Sequence, residues 1–135
     1  MVCIYCGSPT SVTNSRRQKR HNAVWRRRHC ATCGAVFTTI ESVDFLTSVG
    51  VTCGSRVVPF SRDQLFIATY ESCKHRKDAV HDAAALTDTI CARVLQTLTN
   101  GTLDKGTIAR LTYDVLARFD SVAATMYQAY HDVPA

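Results

Sequence analysis

The stretch Cys3-Ile4-Tyr5-Cys6-Gly7 and its near repeat Cys30-Ala31-Thr32-Cys33-Gly34 decide how this 135-residue chain is read. Two residues between paired thiolates let both sulfurs reach one tetrahedral Zn²⁺ at about 2.3 Å, and the glycine after each second cysteine permits the tight turn of a metal knuckle. The 23 residues between Cys6 and Cys30 suit a short hairpin running between two knuckles. Four thiolates close the coordination shell, so the one expected zinc holds structure and does not catalyse.

Other uses of these cysteines fit less well. Disulfides need an oxidising compartment, and Met1-Val2-Cys3 shows no basic stretch followed by an apolar segment, which predicts a cytoplasmic protein. A thioredoxin-like dithiol needs a single Cys-x-x-Cys opening a helix, not two glycine-flanked pairs. Cys53, Cys73 and Cys91 have no paired spacing and read as small apolar residues or free thiols. His29 abuts Cys30, but four cysteines already complete the shell, leaving it a surface or DNA-facing residue.

The charge is concentrated in the same segment. The chain is 46% hydrophobic with net charge +5, and no apolar run approaches the ~20 residues of a membrane span. Residues 1–46 hold Arg16, Arg17, Lys19, Arg20, Arg26, Arg27 and Arg28 against Glu41 and Asp44 alone, whereas the remainder balances nine basic against nine acidic side chains. That asymmetry favours a polyanion, with Arg16, Arg17, Arg26, Arg27 and Arg28 as candidate DNA contacts. Counter-charge for the zinc–thiolate centre is the other use of such residues, but seven cations exceed what that centre requires. On a strand leading into Cys30, Arg26 and Arg28 would face one side and Arg27 the other. Trp25 could either pack on the hairpin or stack on a base.

Beyond Phe37-Thr38-Thr39-Ile40-Glu41, read as the strand closing the ribbon, the pattern changes. Phe45 to Val51 and Arg56 to Phe60 are rich in β-formers and flank Thr52-Cys53-Gly54-Ser55, a hairpin signal. Ser61 with Gln64 forms a capping box opening a helix to about His75, with Leu65, Ala68 or Thr69, and Cys73 inward. A longer helix from about Ala79 carries Ala83, Leu86, Ile90, Val94 and Leu98, then stops at Asn100-Gly101. Asp104 caps a third presenting Ile108, Leu111, Val115 and Phe119, and Asp120 a fourth with Val122, Ala123, Met126 and Tyr130 inward. The expected class is α+β: a zinc ribbon over 1–46, then a β-hairpin covered by a helical bundle over 47–135.

Taken in order, Cys-x-x-Cys-Gly, Asn14-Ser15-Arg16, Arg26-Arg27-Arg28, the second knuckle and Phe37-Thr38-Thr39-x-Glu41 resemble the NrdR family of bacterial repressors of ribonucleotide reductase genes. Pro59-Phe60 before a capped helix, Lys74-His75-Arg76 and Phe119-Asp120-Ser121-Val122-Ala123 are similar to that family's second module, an ATP-cone. The resemblance implies a cytoplasmic, nucleoid-associated homo-oligomer that docks on double-stranded operator boxes under control of ATP or dATP. The cone differs from the family pattern: Thr52 and Gln64 stand where lysines are usual, and Val57-Val58 replaces Arg-Glu. Arg56, Arg62, Lys74, His75 and Arg76 remain as basic candidates for nucleotide binding.

A zinc-ribbon nucleic-acid module, or a reductase-associated regulator without nucleotide control, is the competing reading. An enzyme would need convergent acids and bases or an open metal position. The carboxylates are instead scattered over amphipathic helices, so no catalytic residue is assigned.

Overall fold

The computed structural model describes residues 1–135 and divides the chain into two compact units, Met1–Val43 and Asp44–Ala135. The class is α+β, and no helix is long and apolar enough to cross a membrane.

The first unit forms three antiparallel strands, β1 (Ser11–Gln18), β2 (Ala23–His29) and β3 (Val36–Glu41), in the order β1-β2-β3. Of these, β3 is built almost wholly of β-branched and aromatic residues, while β1 and β2 are largely polar and basic. A 3₁₀ turn at Lys19–His21 reverses the chain and closes on Asn22 in the left-handed region. The pairing sets Arg16 opposite Trp25 and Ser15 opposite Arg26, then Trp25 opposite Ile40 and Arg26 opposite Thr39. Only Cys3, Ala23 and Cys30 of this unit are buried. A core that small cannot offset the conformational entropy of about 40 ordered residues without a cross-link.

The second unit opens with a helical turn, α1 (Phe45–Ser48), where a strand is expected from composition. The Asp44 carbonyl accepts the Ser48 N–H at 3.0 Å, and the Phe45 ring packs 5.4 Å from that of Phe60, so the turn plugs the core before the chain extends. The hairpin is shorter than expected, β4 (Gly50–Cys53) and β5 (Arg56–Pro59), with Gly54 at φ +62° in its turn. A third strand, β6 (Thr102–Asp104), runs parallel to β4 on its other side and makes β4 the centre of the sheet. Three residues carry no detectable periodicity, which is why β6 escapes a sequence reading.

Helices α2 (Arg62–Cys73), α3 (Ala79–Thr97), α4 (Lys105–Phe119) and α5 (Ser121–Tyr130) follow the expected pattern. The Ser61 hydroxyl accepts the Gln64 N–H, Asp104 accepts that of Thr107, and Asp120 accepts those of Val122 and Ala123. Leu65, Thr69 and Cys73 of α2 and Ala83, Leu86, Ile90 and Val94 of α3 are buried as read. The buried Thr and Ser hydroxyls are satisfied within their own helices, Thr69, Ser72, Thr87 and Thr112 each donating to the carbonyl four residues back.

The inward faces of α4 and α5 are partly rotated from those expected: Val115 and Ala123 are buried as read, and Ile108 and Leu111 pack half-buried against the core, but the remaining positions differ. The structure buries Ala109, Thr112, Val115 and Leu116 on α4 and Ala123, Ala124 and Tyr127 on α5, while Phe119, Val122, Met126 and Tyr130 are exposed. Small residues on the buried stripe let α5 lie close against α2 and α4, and close packing outweighs the burial of one larger side chain. Cys73 and Cys91 are buried thiols, and desolvation pushes the Cys91 thiol up to about 11.

Candidate metal centre and nucleic-acid interface

Two matching turns bring the four expected cysteines together. The Gly7 N–H donates to the Cys3 carbonyl at 3.0 Å and the Gly34 N–H to that of Cys30 at 2.9 Å. Gly7 and Gly34 adopt φ +75° and +72°, a conformation that a side chain would strain. The Cys3 and Cys30 N–H groups then reach past the turn to the carbonyls of Ser8 and Ala35. All four sulfurs lie within 4.8 Å of one another, with Cys3 to Cys33 at 3.6 Å and Cys6 to Cys30 at 3.5 Å. A tetrahedron with metal–sulfur bonds of about 2.3 Å has edges of about 3.8 Å, so this cage has the size of a Zn(Cys)₄ site.

The electrostatics agree with the geometry. Hydrogen bonds from the Ser8 backbone and hydroxyl lower the Cys6 thiol to about 6. At Cys33 the Ala35 N–H pulls the same way, yet the neighbouring sulfurs of Cys6, Cys30 and Cys3 together push it up to about 12. Four sulfurs this close cannot all ionise unless a cation lies between them, and a dication removes the conflict.

The five candidate DNA contacts all fall on β1 and β2, divided between the sheet faces as period two requires. Arg26 donates through Nε and one terminal nitrogen to Glu41 at 3.3 and 2.9 Å, and through the other to Ser15 at 3.2 Å. Arg28 donates to Thr39 at 3.2 Å. Arg27, on the opposite face, is exposed, and Arg16 lies over the Trp25 ring at 5.8 Å. Arg16, Arg17 and Arg27 carry no ion pair. Trp25 packs on the hairpin, against Arg16 on its own sheet face.

In the second unit the nucleotide candidates are dispersed. Arg62 pairs with Asp88 across α2 and α3, and Lys74 pairs with Glu71 one turn earlier on α2. His75 and Arg76 both reach Asp120, and Arg76 also holds Asp82 and covers the Phe119 ring at 4.4 Å. Arg56 stands exposed on β5. None of the five lines the cavity of about 340 Å³ enclosed by the hairpin, α2, α4 and the end of α5. Its polar lining includes Gln64, Lys105 and His131 over an apolar floor of Val51, Leu65 and Tyr127. Burial, aided by the nearby Lys105 charge, lowers the His131 imidazole below its ordinary value, and its ring stacks on Tyr127 at 4.2 Å. Sequence alone gives no reason to single out Lys105 or His131: one begins a helix, the other follows one.

The family model for the N-terminal domain of NrdR-like transcriptional repressors matches residues 1–41. Over nearly the whole length, the chain is similar to proteins named transcriptional repressor NrdR. It is 31% identical to that of Symbiobacterium thermophilum over 98% of this chain and 91% of the relative. It is 33% identical to that of Streptococcus gordonii over 98% and 87%, and 32% identical to that of a Chelativorans species over 97% and 85%. These relatives are named as regulators and not as enzymes. With a cysteine cage on a three-stranded ribbon and relatives aligned across both units, the chain belongs to the NrdR family of transcriptional repressors.

Proposed function

We propose that this protein is a zinc-dependent repressor that binds double-stranded operator boxes upstream of bacterial ribonucleotide reductase genes. Cys3, Cys6, Cys30 and Cys33 would hold one Zn²⁺, which supplies a cross-link and no reactive site. The observation that carries the reading is the joining of that cage to a strand pair whose arginines account for the excess charge of the chain. Phosphate contacts from such a ribbon fix register on a duplex, and base-edge contacts select sequence. The protein would act in the cytoplasm, associated with the nucleoid when bound.

Control by ATP or dATP, through a change of homo-oligomeric state, belongs to the same proposal. The cavity beside Lys105 is where a nucleotide would enter; Arg56, Arg62, Lys74, His75 and Arg76 lie outside its lining, and of them Lys74 lines a neighbouring cavity that shares Gln64, Ala68, Tyr130 and His131. A second reading, a DNA-binding regulator without nucleotide control, is favoured by the ion pairs that engage Arg62, Lys74, His75 and Arg76.

Mobility shifts of a labelled reductase promoter fragment, with and without each nucleotide, test both. A sequence-selective shift that responds to nucleotide supports the first reading, and a selective shift indifferent to nucleotide supports the second. Binding to any duplex, abolished by salt, would reduce the protein to a general nucleic-acid module.

A further inference from the structure

Building on the DNA-binding reading above, we infer that the ribbon contacts DNA through one sheet face, that of Arg16, Trp25 and Arg27. Arg26 and Arg28 are positioning residues that brace this face from behind. The register separates the two sets. Arg16, Trp25 and Ile40 form one cross-strand row, and Asn14, Arg27 and Thr38 the next, all on one side. On the other side the rows are Arg17, Val24 and Glu41, then Ser15, Arg26 and Thr39.

Two of the three rear arginines are occupied, and the third, Arg17, makes no ion pair but shares its cross-strand row with Glu41. Arg26 joins all three strands, bonding Ser15 on β1 and Glu41 on β3, and Arg28 bonds Thr39 on β3 and Thr10 before β1. A phosphate approaching Arg26 must first displace a carboxylate already in place. The front face has no such competitor: Glu41 is the one carboxylate in the sheet, and it belongs to the rear. Arg27 has no side-chain partner, and stacking on Trp25 orients Arg16 without consuming its N–H donors. Exposed Ile40 and the Trp25 ring add apolar surface between the cations, while Asn14 and Thr38 add neutral donors. Free guanidinium forks around an apolar strip suit a duplex backbone and its sugar or base edges.

The test uses the full-length, zinc-loaded protein and a fluorescent promoter duplex, with affinity measured across a salt series. Arg27→Gln should weaken binding roughly fivefold or more and flatten the salt slope by about 0.9, with zinc content and melting unchanged. The charge-balanced double variant Arg26→Gln with Glu41→Gln should bind DNA as the wild type does, yet melt at a lower temperature. Trp25, the only tryptophan, should change its emission as duplex is added. Equal losses of affinity in the two variants, wild-type binding by Arg27→Gln, or Trp25 emission unmoved at saturating duplex would each overturn the assignment. Should the double variant lose its zinc, the Trp25 titration of the wild-type protein still decides. A wild-type protein that binds no duplex would defeat the DNA-binding reading itself, an outcome distinct from binding through another face.

Discussion

The Arg76 guanidinium donates to the Asp120 carboxylate at 2.8 Å, joining residues 44 apart in the chain. The same carboxylate caps α5 through the Val122 and Ala123 N–H groups, at 2.8 and 3.1 Å, and meets the His75 ring at 3.1 Å. One acidic side chain therefore starts a helix and ties it to the turn between α2 and α3. The Lys74-His75-Arg76 and Phe119-Asp120 segments, read separately in the sequence, form a single bracing cluster.

This cluster gives stability a specific acid limb. The Ala123 N–H, then His75 and Arg76, hold the Asp120 carboxyl far below the usual carboxylate range. A depressed folded pKa contributes stability that is fully present above the unfolded value of about 3.9 and is lost as pH falls through the folded one. Melting curves should show Asp120→Asn less stable than wild type near neutrality, with the gap closing below about pH 4. Asp120→Ala should be worse than Asp120→Asn, because it also removes the cap. A gap independent of pH would remove the ionised carboxylate from the account.

Zinc should govern the fold of the first unit. Chelation, or Cys30→Ser, should release the metal, abolish the strand signal of residues 1–43 and shift the emission of Trp25, which loses its packing on the ribbon. Metal analysis should find one zinc per chain before treatment and none after. An unchanged ribbon without metal would mean that its few buried residues suffice.

The partly rotated faces of α4 and α5 predict an asymmetric mutational pattern. Leu116 is fully buried, so Leu116→Ala should cost about 2–5 kcal/mol by urea denaturation. Val122 is 52% exposed, and Val122→Ala should change stability by less than about 0.5 kcal/mol. The reverse order would restore the inward face expected from hydrophobicity alone.

Nucleotide binding, if it occurs in the cavity beneath the hairpin, should depend on Lys105 more than on Arg62. Calorimetry with ATP and dATP should show Lys105→Ala weakened roughly tenfold or more, the scale of one charge-assisted hydrogen bond. Arg62→Ala should chiefly lower the melting temperature, since it breaks the pair with Asp88 that joins α2 to α3. Unchanged binding in Lys105→Ala would move the nucleotide out of this cavity.

By itself the sequence determined what short-range chemistry can determine. The knuckles, the caps at Ser61, Asp104 and Asp120 and the buried stripes of α2 and α3 follow from spacings of a few residues, where a thiolate, an N–H or a helical turn has one nearby partner. Only the tertiary structure decided the rest. Strand β6 exists because β4 offers it an edge, and α5 turns Ala123 and Ala124 inward because α2 and α4 are close enough to reward small residues. Arg26 and Arg27 are adjacent and chemically identical in sequence, yet one meets Glu41 and the other meets solvent. The strand period separated them, but the identity of the partner was set by the pairing of β2 with β3, a contact between residues distant along the chain.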